Sequence, residues 1–133
     1  MEMSASWVTA TIEGASREVA IRFGVGHILM ARQPDDGRDG ARTPAPLDLL
    51  LASLGACTAI TLNQYAAARN WSLEVVEVDL EVFSLGGSTS VTRLLSFRGS
   101  LDSNQREELL AAADHTPVTL LLAHATRIRT ELA

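Results

Sequence analysis

The chain has 133 residues, 47% of them hydrophobic and 20% charged, a globular balance sized for one compact domain over residues 1–133. Its net charge of -5 and dispersed basic residues argue against a general nucleic-acid surface and against a polybasic membrane patch. All eleven basic residues are arginine, which excludes Schiff-base, pyridoxal and P-loop lysine chemistry. The one cysteine, Cys57, excludes an intramolecular disulfide, a Cys-x-x-Cys redox pair and a multi-cysteine zinc cage.

Trp7 to Ile12 is rich in β-formers and ends in the turn Glu13-Gly14-Ala15-Ser16. Val19, Ile21 and Phe23 then alternate with Glu18, Ala20 and Arg22, the period of a half-buried strand. His27 to Ala31 reads as a third strand, followed by a Gly-, Pro- and Asp-rich loop over residues 33–46. Pro46 suits the first position of a helix that runs to Asn70, with Asp48 near its positive end. From Leu47 to Leu62 this helix is apolar nearly all round, but its apolar part is shorter than the ~20 residues of a bilayer span. A buried central helix is expected. A chain this small has too few other elements to cover such a cylinder, and Ala52, Gly55, Ala56 and Ala59 permit close backbone approach. Both features predict a homodimer with the helix in its shared core.

Val76, Val78, Leu80 and Val82 alternate with Glu77, Asp79 and Glu81, and Gly86-Gly87 turns the chain into a partner strand from Val91 to Phe97. Asp102 and Gln105 have the spacing of a capping arrangement before a helix through Ala113. Thr116-Pro117 starts a further short helix, and Thr126 to Leu132 reads as a closing strand. The predicted order is β-β-β-α-β-β-α-α-β, an α+β fold of antiparallel sheets around a long central helix.

Cys57 is the one soft nucleophile, and two readings stand for it: inert core filling or a reactive thiol. Reactivity needs an arginine brought from elsewhere, with Arg17, Arg22, Arg32, Arg38 and Arg42 as candidates. His27, His115 and His124 lack metal-ligand spacing, so no metal is expected. The acidic loop Asp35 to Gly40 lacks the alternating ligands of a calcium loop. Serine-hydrolase, zincin and Rossmann motifs are missing from the sequence, and no cofactor is expected. The N-terminus lacks a basic region followed by an apolar stretch, so a cytoplasmic, reducing location without membrane attachment is expected.

The run from Pro46 through Cys57 to Tyr65-Ala66, with Gly26-His27 before it and Trp71-x-Leu73-Glu74 and Thr116-Pro117-Val118 after it, resembles the OsmC/Ohr family. The resemblance spans nearly the whole chain. It implies an intertwined homodimer and thiol-dependent reduction of organic hydroperoxides, with an arginine lowering the pKa of a peroxidatic cysteine and a glutamate holding that arginine. Cys57 matches the attacking cysteine, and Arg17, in the turn after the first strand, matches the arginine. Thr116 stands where the family usually has a second, resolving cysteine, so the reducing thiol must come from outside the chain. Leu47 stands ten residues before Cys57, where the hydroperoxidases carry the glutamate. Asp48 is nine residues before Cys57 and on the opposite helical face, so it reads as a helix N-terminal charge, a pattern similar to the OsmC-like branch. The alternative to the peroxidase is a non-catalytic dimer that binds a small apolar ligand at the subunit interface.

Overall fold

The computed structural model describes residues 7–24, 26–32, 43–124 and 126–133. In chain order its elements are β1 (Val8–Thr11), β2 (Glu18–Phe23), β3 (Ile28–Arg32), α1 (Pro46–Ala68), β4 (Ser72–Leu85), β5 (Ser88–Ser100), α2 (Ser103–Ala113) and α3 (Pro117–Ala123). The fold is α+β with two antiparallel sheets, ordered β1-β2-β3 and β4-β5. By internal packing the chain divides into two compact units, Met1–Leu50 and Leu51–Ala133, with α1 continuing from the first into the second.

In the N-terminal unit the expected alternation sets the register, pairing Ile21 with Leu29 and Ala10 with Ile21. Glu18 faces Arg32 across β2 and β3, an opposite-charge pair that favours this register over a slipped one. The Arg32 N–H donates to the Pro44 carbonyl at 3.0 Å, and the Ala45 N–H donates to the Asp48 carboxylate at 3.0 Å. Asp48 thus takes up a backbone N–H left unpaired at the start of α1, the role its position suggests.

In the C-terminal unit, α1 stops two residues before the expected Asn70. Asn70 takes the left-handed conformation at φ 56°. The Trp71 N–H reaches the Ala66 carbonyl at 2.9 Å and the Asn70 N–H reaches that of Ala67 at 3.1 Å, the paired bonds of a Schellman end. The β4–β5 hairpin is longer than its apolar pattern suggests. Gly86 and Gly87, at φ 59° and 81°, make a two-residue turn that lets pairing begin at Leu85 and Ser88. At the other end the register shifts between Leu73 and Val75, opposite Gly99 at φ 138°. A Cβ on Gly99 would lie 1.9 Å from the Ser72 carbonyl oxygen, so only glycine fits this bulge.

One core closes this unit: Leu62 and Ala66 of α1 pack with Leu109 and Ala113 of α2, flanked by Trp71, Val76, Leu95 and Phe97. The buried residues of α1 are Leu54, Thr58, Leu62 and Ala66, each four apart. At ~100° per residue this line advances ~40° per step, so one helix serves different neighbours along its length. The expected Asp102–Gln105 capping box is present and starts α2.

One expectation changes. The described residues 126–133 form no strand, and Ile128 and Leu132 are exposed. A β-forming segment becomes a strand only where a neighbour accepts its backbone hydrogen bonds, and none of the described strands pairs with it. Instead Thr126 Oγ1 donates to the Leu121 carbonyl and Arg129 pairs with Glu131. In the single chain α1 is buried along one line, with Leu47, Leu50 and Ile60 exposed. By length and composition α1 is also apolar enough to cross a membrane, a test that core helices of soluble proteins pass as well.

Candidate functional site

Cys57 lies on α1 in the C-terminal unit, a free and partly buried thiol. It sits on the shoulder of the buried line, ~60° from Leu54 and ~100° from Thr58 around the helix. Arg17 lies in the β1–β2 connection of the N-terminal unit, on an exposed stretch of chain. Arg38, Arg42 and the acidic loop over residues 35–40 fall outside the described residues.

Thr116 is fully buried at the N-cap of α3, but its side chain does not cap the helix. Its Oγ1 lies 2.6 Å from Thr119 Oγ1. Thr119 Oγ1 in turn accepts from Arg93 Nη1 at 2.7 Å, and the same Nη1 donates to Thr58 Oγ1 at 3.0 Å. Thr58 Oγ1 donates to the Leu54 carbonyl at 2.7 Å, and Arg93 Nη2 donates to the Ala113 carbonyl at 2.8 Å. A polar chain therefore runs from the position the resemblance reserves for a second cysteine to the residue that follows Cys57.

Arg93 is the functional candidate that the sequence pattern left aside. Val82 pairs with Val91, Leu80 with Arg93, Val78 with Leu95 and Val76 with Phe97, so Arg93 occupies an inward position in an apolar row. A charged residue at a core-facing position of an alternating strand is a signal readable without a structure. Beside Arg93 lies a groove of about 320 Å³ with Leu54, Val91, Leu122 and Ala123 on its walls. Thr89, Arg93 and Thr119 supply its polar groups.

A second cluster ties α1 to α2. The Tyr65 hydroxyl donates to Glu108 Oε1 at 2.5 Å, and the Arg69 guanidinium stacks 3.4 Å from the Tyr65 ring centroid. Trp71 meets Tyr65 edge-on at 5.7 Å. The bond to the Glu108 carboxylate, aided by partial desolvation and that carboxylate's charge, holds the Tyr65 phenol above its ordinary pKa, while Arg69 opposes the shift. Among the described residues, no three His, Cys, Asp or Glu side chains gather where a metal ion could be held. His115 Nδ1 instead lies 3.2 Å from the Ala111 carbonyl one turn earlier.

A three-stranded antiparallel sheet, a long cysteine-bearing helix, a β-hairpin and two short helices define an α+β class of OsmC-like architecture. The family model for OsmC-like protein matches residues 37–131, and the chain belongs to this family. Solved structures of similar fold include an OsmC-like protein from Mycoplasma pneumoniae, at TM-score 0.76 and 16% identity over 90% of this chain and 88% of that one. An OsmC-like protein of unknown function from Vibrio cholerae aligns at TM-score 0.71 and 17% identity, covering 90% of this chain and 94% of its own. The organic hydroperoxide resistance protein OhrB of Bacillus subtilis aligns at TM-score 0.64 and 21% identity, over 89% and 90% of the two chains. A search of curated proteins finds no match to the chain.

Proposed function

We propose that this chain is a cytoplasmic thiol peroxidase that reduces organic hydroperoxides as a homodimer, with Cys57 as its one redox cysteine. The whole chain serves as a single OsmC-like domain. The observation that carries the reading is the placement of a free, partly exposed thiol on the central helix of an OsmC-like fold. Organic hydroperoxide resistance proteins among the structural neighbours support the substrate class. In the first step the Cys57 thiolate attacks the terminal oxygen of R–O–OH, the O–O bond breaks, and the alcohol leaves with a proton. The sulfur is oxidised to a sulfenic acid and the peroxide is reduced. An external thiol then attacks that sulfur, releasing water and leaving a mixed disulfide, and a second thiol restores Cys57 and departs as the external disulfide. Arg17 is assigned the task of stabilising the thiolate. Thr116 contributes no thiol, which is why both reducing equivalents come from outside.

The homodimer rests on α1. Its exposed Leu47, Leu50 and Ile60 give a single chain an apolar helix surface of the kind that a second copy covers. The unpaired, β-forming residues 126–132 offer that copy a further strand.

The second reading, a non-catalytic dimer binding a small apolar ligand, is favoured by Leu47 at the glutamate position and by the absence of a second cysteine. The pH dependence of Cys57 alkylation in the native protein separates the two. The peroxidase requires a thiolate pKa well below the ~8.5 of free cysteine, raised again by Arg17→Ala. Turnover of cumene hydroperoxide with dithiothreitol should vanish in Cys57→Ser. A thiol that reacts only after unfolding, or turnover that survives Cys57→Ser, would refute the peroxidase.

A further inference from the structure

The groove beside Arg93 has a chemistry that the thiol cycle does not use. Arg93 stands in an apolar strand row with its side chain 13% exposed, and three of its hydrogen-bond partners, Thr58, Thr119 and the Ala113 carbonyl, are neutral. The nearby carboxylate, Asp114 Oδ1 at 3.5 Å, belongs to a side chain that is 78% exposed. The cation is therefore largely withdrawn from water while its counter-charge stays hydrated, an arrangement that costs free energy unless an anion completes it.

The groove gives such an anion a place. Its volume of about 320 Å³ lies at the small end of ligand pockets, which run from about 300 to 1,000 Å³. Leu54, Val91 and Leu122 offer apolar walls, and Arg93 offers a charged wall. We infer that this groove binds a short- to medium-chain monocarboxylate, its head on the Arg93 guanidinium and its tail along Leu54, Val91 and Leu122.

The pairing follows from shape as well as charge. A guanidinium presents parallel N–H donors that match the two oxygens of a carboxylate. Thr58 and Thr119 hold Nη1 and so fix the plane of the guanidinium. Arg93 reaches the groove beside Thr119, which lines the same wall, and the head docks there. Nothing in this contact requires Cys57, so the site stands whether or not the thiol cycle operates.

Octanoate titrated into the full-length chain by calorimetry tests the site, with octan-1-ol as the uncharged probe of equal length. Octanoate should bind more tightly than octan-1-ol and weaken with added salt, while Cys57→Ser leaves binding unchanged. Arg93→Met should weaken octanoate by about tenfold or more and leave octan-1-ol unaffected. Because Arg93→Met also removes three structural hydrogen bonds, Leu122→Trp provides a second test: it fills the groove from its rim, keeps the Arg93 contacts and should abolish octanoate binding. Equal binding of octanoate and octan-1-ol would overturn the proposal by reducing the groove to a generic apolar slot. Absence of octanoate binding to the wild-type chain would overturn it too, as when a second copy fills the groove, and so would full binding in Leu122→Trp.

Discussion

Thr119→Val tests whether the polar chain between α3 and α1 is held together as the geometry indicates. The substitution keeps the branched shape and deletes the hydroxyl that accepts from Arg93 at 2.7 Å and meets Thr116 Oγ1 at 2.6 Å. A hydrogen bond to a charged group contributes about 1.5–3 kcal/mol, and stranding the buried Thr116 hydroxyl costs a further ~1–3 kcal/mol. Arg93 keeps Thr58 and the Ala113 carbonyl, which brings the expected destabilisation to about 2–4 kcal/mol. Thr116→Val alone should cost only about 1 kcal/mol, since Thr119 retains Arg93. In the double variant no Thr116 hydroxyl is left to strand, so its cost should fall short of the sum by about 1–2 kcal/mol. Urea unfolding of the four proteins at one fixed protein concentration measures this cycle, because association would make stability concentration-dependent. Additivity within about 0.5 kcal/mol, or a cost below about 1 kcal/mol for Thr119→Val, would refute the reasoning.

Gly99→Ala should lower the melting temperature far more than Gly14→Ala. Gly14 has open space and a positive φ, which costs about 1–2 kcal/mol for an L-residue, whereas the Gly99 Cβ would also strike the Ser72 carbonyl; equal shifts would contradict the bulge geometry. Tyr65 is the one tyrosine, so tyrosinate absorbance reads it alone. Its raised pKa means ionisation above the ordinary 10.0, moved down by Glu108→Ala. The neutral phenol is the form the fold favours, so its stabilisation is complete below pH 10 and disappears as pH rises through the folded value. Ile60→Glu should convert the proposed dimer to monomer in equilibrium sedimentation with little change in monomer secondary structure, since Ile60 is exposed in the single chain; an unaltered dimer would place the interface elsewhere.

Local signals carried much of the fold. The Asp102–Gln105 box, the Gly86-Gly87 turn and the β2 alternation each specify short-range geometry, and the structure realises all three. The closing strand was not recoverable in this way, because Ile128 and Thr130 have β-forming character but a strand depends on what lies beside it. The length of α1 was legible to within two residues, and the exception, Asn70, signals a left-handed end only once the Trp71 bond to Ala66 closes it. At the site, Cys57 stands out by residue type alone. The Arg93 chain does not, since Thr58, Thr116 and Thr119 are ordinary threonines until α1, β5 and α3 bring them together around one guanidinium.

The hairpin has a colloidal consequence. Glu77, Asp79 and Glu81 project from the solvent face of β4, opposite Ser96, Leu94 and Thr92, with no cation paired across from them. Leu94 is 64% exposed within this row of carboxylates. A two-stranded ribbon has unpaired edges that invite edge-to-edge growth, and like charges on each copy resist that approach. Replacing these carboxylates with their amides removes the repulsion and leaves the exposed Leu94 in place. Light scattering that rises at neutral pH in Asp79→Asn, and further when Glu77→Gln and Glu81→Gln are added, is the expected sign that solubility depends on this acidic row.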